Sequence, residues 1–321
     1  MIQRYDFAPL DGITKVVFRQ VYHRLFGGAD RYFLPFFSPT DQHILTKRDR
    51  RELDPAANAG LRVVPQVMTR RAPDFLWAAE LLEDMGYTEV NLNLGCPSGT
   101  VTAKGKGSGF LAKPEELERF FDEVFASVKL PVSVKTRLGV KEPEEFERLL
   151  EIYNRYPIAC LTIHPRVQKQ FYKGTVYRDW FAWAAERSRN PLCYNGDLVT
   201  VEDCGAFEAD FPAIDAVMIG RGAVADPALF RKLRGGTPAT RRELQTFTRT
   251  LYQSYQEFYG QVGPAAQRMK EVWFFLIHLF EGGERHHKRM RRLRTPAEYE
   301  AVEAAIFQEL PLRDHAEGAF G

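Results

Sequence analysis

The stretch Tyr87-Thr88-Glu89-Val90-Asn91-Leu92-Asn93-Leu94-Gly95-Cys96-Pro97 opens as a β-rich run and ends in a turn that sets a single thiol beside an amide. A strand signal that stops at a Gly-Cys-Pro turn reads as the mouth of a site, with Cys96 as its candidate reactive group. A cysteine thiol has an unperturbed pKa of about 8.5, so at neutral pH it is mostly protonated and can give a proton to a carbanion. A neighbour that lowers the pKa would make it a nucleophile instead. Alone, Cys96 reads first as a buried structural cysteine.

The rest of the chain supplies the frame for this turn. Short β-rich runs alternate with helical patterns up to about residue 235, and eight strands are predicted: 5–8, 32–36, 61–67, 89–92, 132–136, 160–164, 192–195 and 216–220. Helical patterns fill the gaps, as at 73–85, 114–128, 143–156 and 201–211, the last opened by Thr200 and Asp203 at capping-box spacing. Eight βα units close into an α/β fold, the (β/α)8 TIM barrel, in which the active site is built where the strands end.

The polar residues fall at those ends. Asp11 and Gly12 follow strand 1, Gln66 ends strand 3, and Asn93 and Cys96 follow strand 4. Lys135 and Arg137 end strand 5, His164 ends strand 6, Asn195-Gly196-Asp197 follows strand 7 and Gly220-Arg221-Gly222 follows strand 8. Singly, each has an ordinary structural reading, Lys135 as a surface lysine and His164 as a core histidine. Together they describe a pocket lined by a few placed polar groups.

Composition bounds the alternatives. At 321 residues and 45% hydrophobic, the chain has material for one large domain and a smaller one, divided here at 1–238 and 239–321. A net charge of +2 gives no strong global field, so a polyanionic partner has to be met by local patches. Cys96, Cys160, Cys193 and Cys204 form no CxxC pair, which argues against zinc, iron–sulfur clusters and a disulfide framework, and no metal is expected. The first residues lack the apolar core of a signal peptide, and no run approaches the roughly eighteen apolar residues of a membrane span, so a cytoplasmic protein is expected.

The exits after strands 7 and 8 of a barrel often hold a phosphate through backbone N–H groups. The glycines at 196, 220 and 222 allow close backbone approach, and Arg221 adds a charge-assisted fork. Lys135, across the mouth, suits the electron-rich end of an anionic reduced flavin. A phosphorylated sugar substrate would account for the same residues.

Asn-Leu-Asn-Leu-Gly-Cys-Pro-Ser at 91–98 resembles the signature of the tRNA-dihydrouridine synthases, and the chain is similar to that family throughout. The supporting motifs are Ala8-Pro9-Leu10-Asp11-Gly12, Pro65-Gln66-Val67-Met68, Val134-Lys135-Thr136-Arg137, Thr162-Ile163-His164-Pro165-Arg166, Phe171-Tyr172-Lys173-Gly174, Asn195-Gly196-Asp197 and Ile219-Gly220-Arg221-Gly222-Ala223. The resemblance implies flavin-dependent reduction of a specific uridine in tRNA to 5,6-dihydrouridine, with hydride passing from reduced FMN to C6, a proton from Cys96 to C5, and NADPH re-reducing the flavin. It places the FMN phosphate at Gly196, Asp197, Gly220 and Arg221 beside Asn195, and the rest of the cofactor among Pro9, Leu10, Asp11, Gln66, Lys135 and His164. Asn93, Arg137 and Lys173 are assigned to the substrate. The chemistry needs an acid, because hydride addition leaves an enolate over C5 and the O4 carbonyl, and it needs the base flipped out of its stack. Three places depart from the family pattern: Leu10 stands for methionine, Pro165 for a glycine that would leave the loop after strand 6 more supple, and 104–110 differs in detail beside the substrate.

Past residue 241 the strand signals stop, and three amphipathic helices are predicted at 244–259, 265–280 and 296–310 as a small C-terminal all-helical domain. Arg268-Met269-Lys270, opening an aromatic helix, resembles the family's C-terminal domain. Between the last two helices runs Arg285-His286-His287-Lys288-Arg289-Met290-Arg291-Arg292-Leu293-Arg294. Such a run is often only a solvated face. With the resemblance, Lys288, Arg289, Arg291, Arg292 and Arg294 are assigned to RNA phosphates, and Arg48, Arg50 and Arg51 extend the footprint unless Asp49 and Glu52 neutralise them. The implied partner is tRNA, with neither DNA nor membrane, and the chain is expected to act as a monomer. Two other readings stay open: a synthase for ribosomal RNA, and a flavin barrel oxidising or reducing a free small molecule, which needs no basic helical domain.

Overall fold

Residues buried on both faces write the strands of this protein as near-continuous apolar runs, and all the strand pairs are parallel. The computed structural model describes residues 1–318. Nine segments form one sheet: β1 Arg4–Phe7, β2 Arg31–Phe33, β3 Val63–Val64, β4 Gln66–Val67, β5 Val90–Leu94, β6 Val132–Gly139, β7 Leu161–Val167, β8 Leu192–Tyr194 and β9 Ala216–Ile219. Their order is β3-β2-β1-β9-β8-β7-β6-β5-β4.

The two ends of that order are one stave. β3 and β4 are separated only by Pro65, which has no N–H to give to a ladder, so the single strand expected at 61–67 is split there. β3 pairs with β2 and β4 with β5, which closes the barrel, and the Pro65 carbonyl still accepts from Asn91 N–H at 2.9 Å. Nine segments therefore make the eight staves of a (β/α)8 barrel.

Two staves reach further than the sequence suggests. β6 continues to Gly139 and β7 to Val167, with a register shift between Arg137 and Gly139. Pro165 thus lies inside a strand and not in a loop after it. Arg137 explains the extension, since its Nη1 donates to the Val167 carbonyl at 3.0 Å and ties the two protruding ends together.

The helices agree in place and differ at their ends. Ala72–Asp84, Pro114–Phe125 and Val201–Asp210 form where the periodicity puts them. The capping box at Thr200 is made, Asp203 N–H donating to Thr200 Oγ1 at 3.0 Å and Thr200 N–H to Asp203 Oδ2 at 2.9 Å. The helix expected at 143–156 is the shorter Phe146–Tyr153 behind a 3-10 turn, because the Glu145 carboxylate draws in the N–H groups of Val140, Lys141 and Glu142.

The C-terminal region is helical, with Arg241–Tyr259, Val262–Leu276 and Pro296–Glu309, apart from an isolated antiparallel bridge between Phe280 and Leu312. A fourth helix, Glu284–Arg292, forms where the sequence shows only a charged run. It buries just His286 and Met290, a two-residue stripe one turn apart that the flanking charges conceal. Phe247 packs edge-on to Phe18 at 6.0 Å and Tyr22 at 6.4 Å, so the helices share the hydrophobic core of the barrel's outer shell. Among the described residues, no helix is long and apolar enough to cross a membrane.

Candidate active site

A cavity of about 510 Å³ opens at the C-terminal ends of the strands. It brings together Pro9, Leu10, Asp11, Gln66, Asn93, Cys96, Lys135, Arg137, His164, Asn195, Gly196, Asp197, Gly220 and Arg221. Lys173 does not reach it. That residue is exposed in the turn closed by its N–H to the Gln170 carbonyl, while its neighbour Tyr172 lines the cavity.

Cys96 is gripped through its peptide. Asn93 Oδ1 accepts from the N–H of Gly95 at 3.1 Å and of Cys96 at 2.9 Å, and Ser108 donates both N–H (3.1 Å) and Oγ–H (2.8 Å) to the Cys96 carbonyl. Gly107, at φ +56°, lies so close that a Cβ there would meet the Cys96 carbonyl oxygen at 2.8 Å. The loop after the cysteine is therefore folded back to hold it.

A buried hydrogen-bond chain fixes the orientation of Asn93. Its oxygen faces two N–H donors, so Nδ2 must donate, and it does so to Gln66 Oε1 at 2.6 Å. Gln66 Nε2 donates to Asn91 Oδ1 (2.7 Å), Asn91 Nδ2 to Ser133 Oγ (2.9 Å), and Ser133 Oγ–H to Glu89 Oε1 (2.5 Å). Glu89 is held by Arg31, which also forks onto Asp6 at 2.9 and 2.7 Å. Both ends of the chain demand the same direction, from Cys96 N–H down to the charged barrel floor. Every member is paired, the condition under which a buried polar network rigidifies a site.

The mouth is electropositive. Lys135 faces the cavity, and no hydrogen bond or salt bridge to it is found among the described residues; burial, with Arg137 beside it, pushes its pKa down to about 8. Burial likewise lowers Arg137 to about 10. Burial and four neighbouring cations hold His164 well below the usual histidine range, so it is neutral. Arg166 Nη1 can only donate to His164 Nε2, 3.2 Å away, which puts the histidine proton on Nδ1. Burial raises the Cys96 thiol, only partly offset by a backbone N–H bond at Ser98 and by Arg137 and Lys135, so it is a protonated thiol at neutral pH.

Asp197 organises the far wall. Its carboxylate accepts two bonds from Arg166 (2.8 and 2.6 Å) and one from Arg221 (2.9 Å). A carboxylate so engaged aims the two guanidiniums along the far wall. Tyr172 lies under Arg221 at 4.7 Å and Arg137 at 5.5 Å. Arg166 and Tyr172 stand in motifs visible in the sequence, yet only contact shows that Tyr172 lines the cavity and that Arg166 braces its wall through Asp197 and His164. Phe274 and Phe275, from the helix Val262–Leu276, also line it, and no local signal places a residue so distant in sequence at the barrel mouth.

The basic residues stand apart from the cavity. Lys288, Arg289, Arg291 and Arg292 are exposed on the helix Glu284–Arg292, with Arg294 exposed just beyond it. None of the five forms a salt bridge among the described residues, whereas Arg48 approaches Asp49 at 3.6 Å and Arg51 covers Phe258 at 5.3 Å.

Fold and site together define a (β/α)8 barrel enzyme with an electropositive mouth and one poised thiol. Among solved structures, morphinone reductase shares the fold, with a TM-score of 0.52 at 16% identity over 74% of this chain and 87% of that one. The family model "Dihydrouridine synthase (Dus)" matches residues 6–310. The chain is 31% identical over 278 residues to the "Probable tRNA-dihydrouridine synthase 1" of Synechocystis sp., covering 83% of this chain and 76% of that protein. It is 31% identical over 241 residues to the tRNA-dihydrouridine(16) synthase of Ralstonia nicotianae, 73% of each chain. The chain belongs to the dihydrouridine synthase family.

Proposed function

We propose that this enzyme reduces a uridine of tRNA to 5,6-dihydrouridine, using FMN and NADPH, with Cys96 as the acid for C5. The observation that carries the reading is the Cys96 thiol, its pKa raised by burial, at the rim of a cavity whose buried lysine forms no salt bridge among the described residues. A nucleophilic cysteine would need its pKa lowered, and here burial raises it.

The donor set fits FMN. A cavity of about 510 Å³ is within the range of cofactor sites, and Lys135, Arg137 and Arg221 in its lining offer cations to an anionic, phosphate-bearing group. Gln66, His164 and Lys135 would hold the ring and ribityl side, with Gly196, Gly220 and Arg221 at the phosphate. When bound, FMN supplies the two-electron reducing chemistry, drawn from NADPH. Cys96 keeps its proton at Sγ and delivers it to C5, while the Asn93 and Ser108 bonds to its peptide keep Sγ in place. Asn93 has one N–H left over for the uracil edge, and Arg137 borders the same space.

The purified protein is expected to be yellow, or to turn yellow with added FMN, and to form dihydrouridine in unmodified tRNA when given NADPH. Reduction of ribosomal RNA in place of tRNA, or of neither, overturns the reading.

FMN affinity is expected to depend on pH through Lys135. Its free-protein pKa is about 8, and an anion favours the charged form, so affinity is full below that value and falls as pH rises through it, by at most about tenfold per unit. Titrations of FMN from pH 7 to 9.5 test this. Lys135→Met should bind FMN more weakly and without that slope, and an equal slope in both proteins removes Lys135 from the site.

A further inference from the structure

Asp11, Ile13, Phe274 and Phe275 line both the mouth cavity and a neighbouring open groove of about 450 Å³, whose lining also includes Lys270 and Arg291. We propose that this groove takes the nucleotide next to the reduced uridine, its base stacked on Phe274 and its phosphate met by Arg291. The inference rests on the function proposed above and adds a second recognition site to it.

A flipped base stays covalently tied to its neighbours, so a groove that shares a wall with the uridine pocket is within reach of one of them. The groove's charge suits a phosphate. Glu271 is bonded to Arg268 at 2.7 Å and Asp11 approaches Lys15 at 3.8 Å, so each carboxylate in its wall has a cation beside it. Arg291 is exposed and has no carboxylate within salt-bridge distance among the described residues. Lys270 Nζ donates to the Leu293 carbonyl at 3.1 Å, which anchors the end of the basic helix beside the groove. Phe274 is half-buried, with ring centroids 5.0 Å from Phe275 and 5.2 Å from His287, so its ring is held ready before any base arrives. A cation beside a supported aromatic ring is the pairing that grips single-stranded nucleotides without reading their sequence. Arg291 also belongs to the basic helix Glu284–Arg292, which makes the groove the link between that helix and the active site.

The test pairs protein variants with altered RNA. A tRNA transcript whose reduced uridine has been mapped is rebuilt with an abasic ribose at the 5′ or the 3′ neighbour. For the wild type, the abasic change on one side is expected to lower kcat/KM by about 5- to 150-fold, the range of base–aromatic stacking. Phe274→Leu should lose a similar factor on intact RNA and little more on the abasic one, whereas Phe274→Trp, which keeps a stacking face, should retain the discrimination. Arg291→Gln should reduce the salt slope of RNA binding by a little under one unit. Additive losses at both neighbours overturn the proposal. So does a raised KM for NADPH in the RNA-free reaction together with additive losses, which would assign the groove to the reductant. If the wild type does not reduce the intact transcript at all, the function reading falls and the groove with it.

Discussion

Cys96→Ala is expected to lower uridine reduction by about 10²–10⁴-fold, the usual worth of a positioned general acid, while FMN uptake and NADPH oxidation continue. The separation follows from what the thiol touches. Its peptide is held by Asn93 and Ser108, and those bonds use only backbone atoms of residue 96, so removing Sγ leaves the loop and the cavity in place. Because burial raises the thiol's pKa, wild-type activity should not fall through loss of the Cys96 proton at neutral pH. Cys96→Ser keeps a proton at this position on a much weaker acid, and its rate should lie near that of the alanine variant. Rapid mixing of the reduced protein with tRNA, followed by dihydrouridine quantification, measures the step. Uridine reduction at the wild-type rate in Cys96→Ala would take the thiol out of the mechanism.

The barrel was legible because its strands obey local rules. β5 is buried at every residue and stops at a glycine, and the polar groups at strand exits follow from where a barrel puts its mouth. What was hidden required a partner far away in sequence. The extension of β7 through Pro165 depends on Arg137 of the neighbouring stave. Arg166 reads as one more arginine until Asp197 and His164 are placed against it. Lys173 was implied by the resemblance, yet the turn at 171–174 sends Tyr172 into the cavity and leaves the lysine outside. The helix Glu284–Arg292 lacked the apolar stripe that betrays a helix, because the Met290 and His286 it buries share it with seven other residues, six of them charged. Local pattern, in short, reports the staves, and tertiary contact decides which side chains serve the mouth.

Arg289→Gln, Arg291→Gln and Arg292→Gln combined are expected to weaken RNA binding and flatten its dependence on salt, with flavin content unaffected. These side chains are exposed on one helix and form no salt bridges among the described residues, so their charge is available to an external polyanion. Each phosphate contact releases about 0.7–0.9 counterions, so losing three should reduce the slope of log affinity against log salt by roughly 2–3 units. Glutamine keeps length and helix propensity, and the buried faces of His286 and Met290 are untouched, so the fold has no reason to change. Salt titrations of tRNA affinity for the two proteins at matched flavin content give both numbers. A loss of affinity with an unchanged slope would point to a disturbed surface in place of lost phosphate contacts. If affinity and slope both stay at wild-type values, the helix is a solvated face, and the cations that hold the RNA must be sought nearer the barrel mouth.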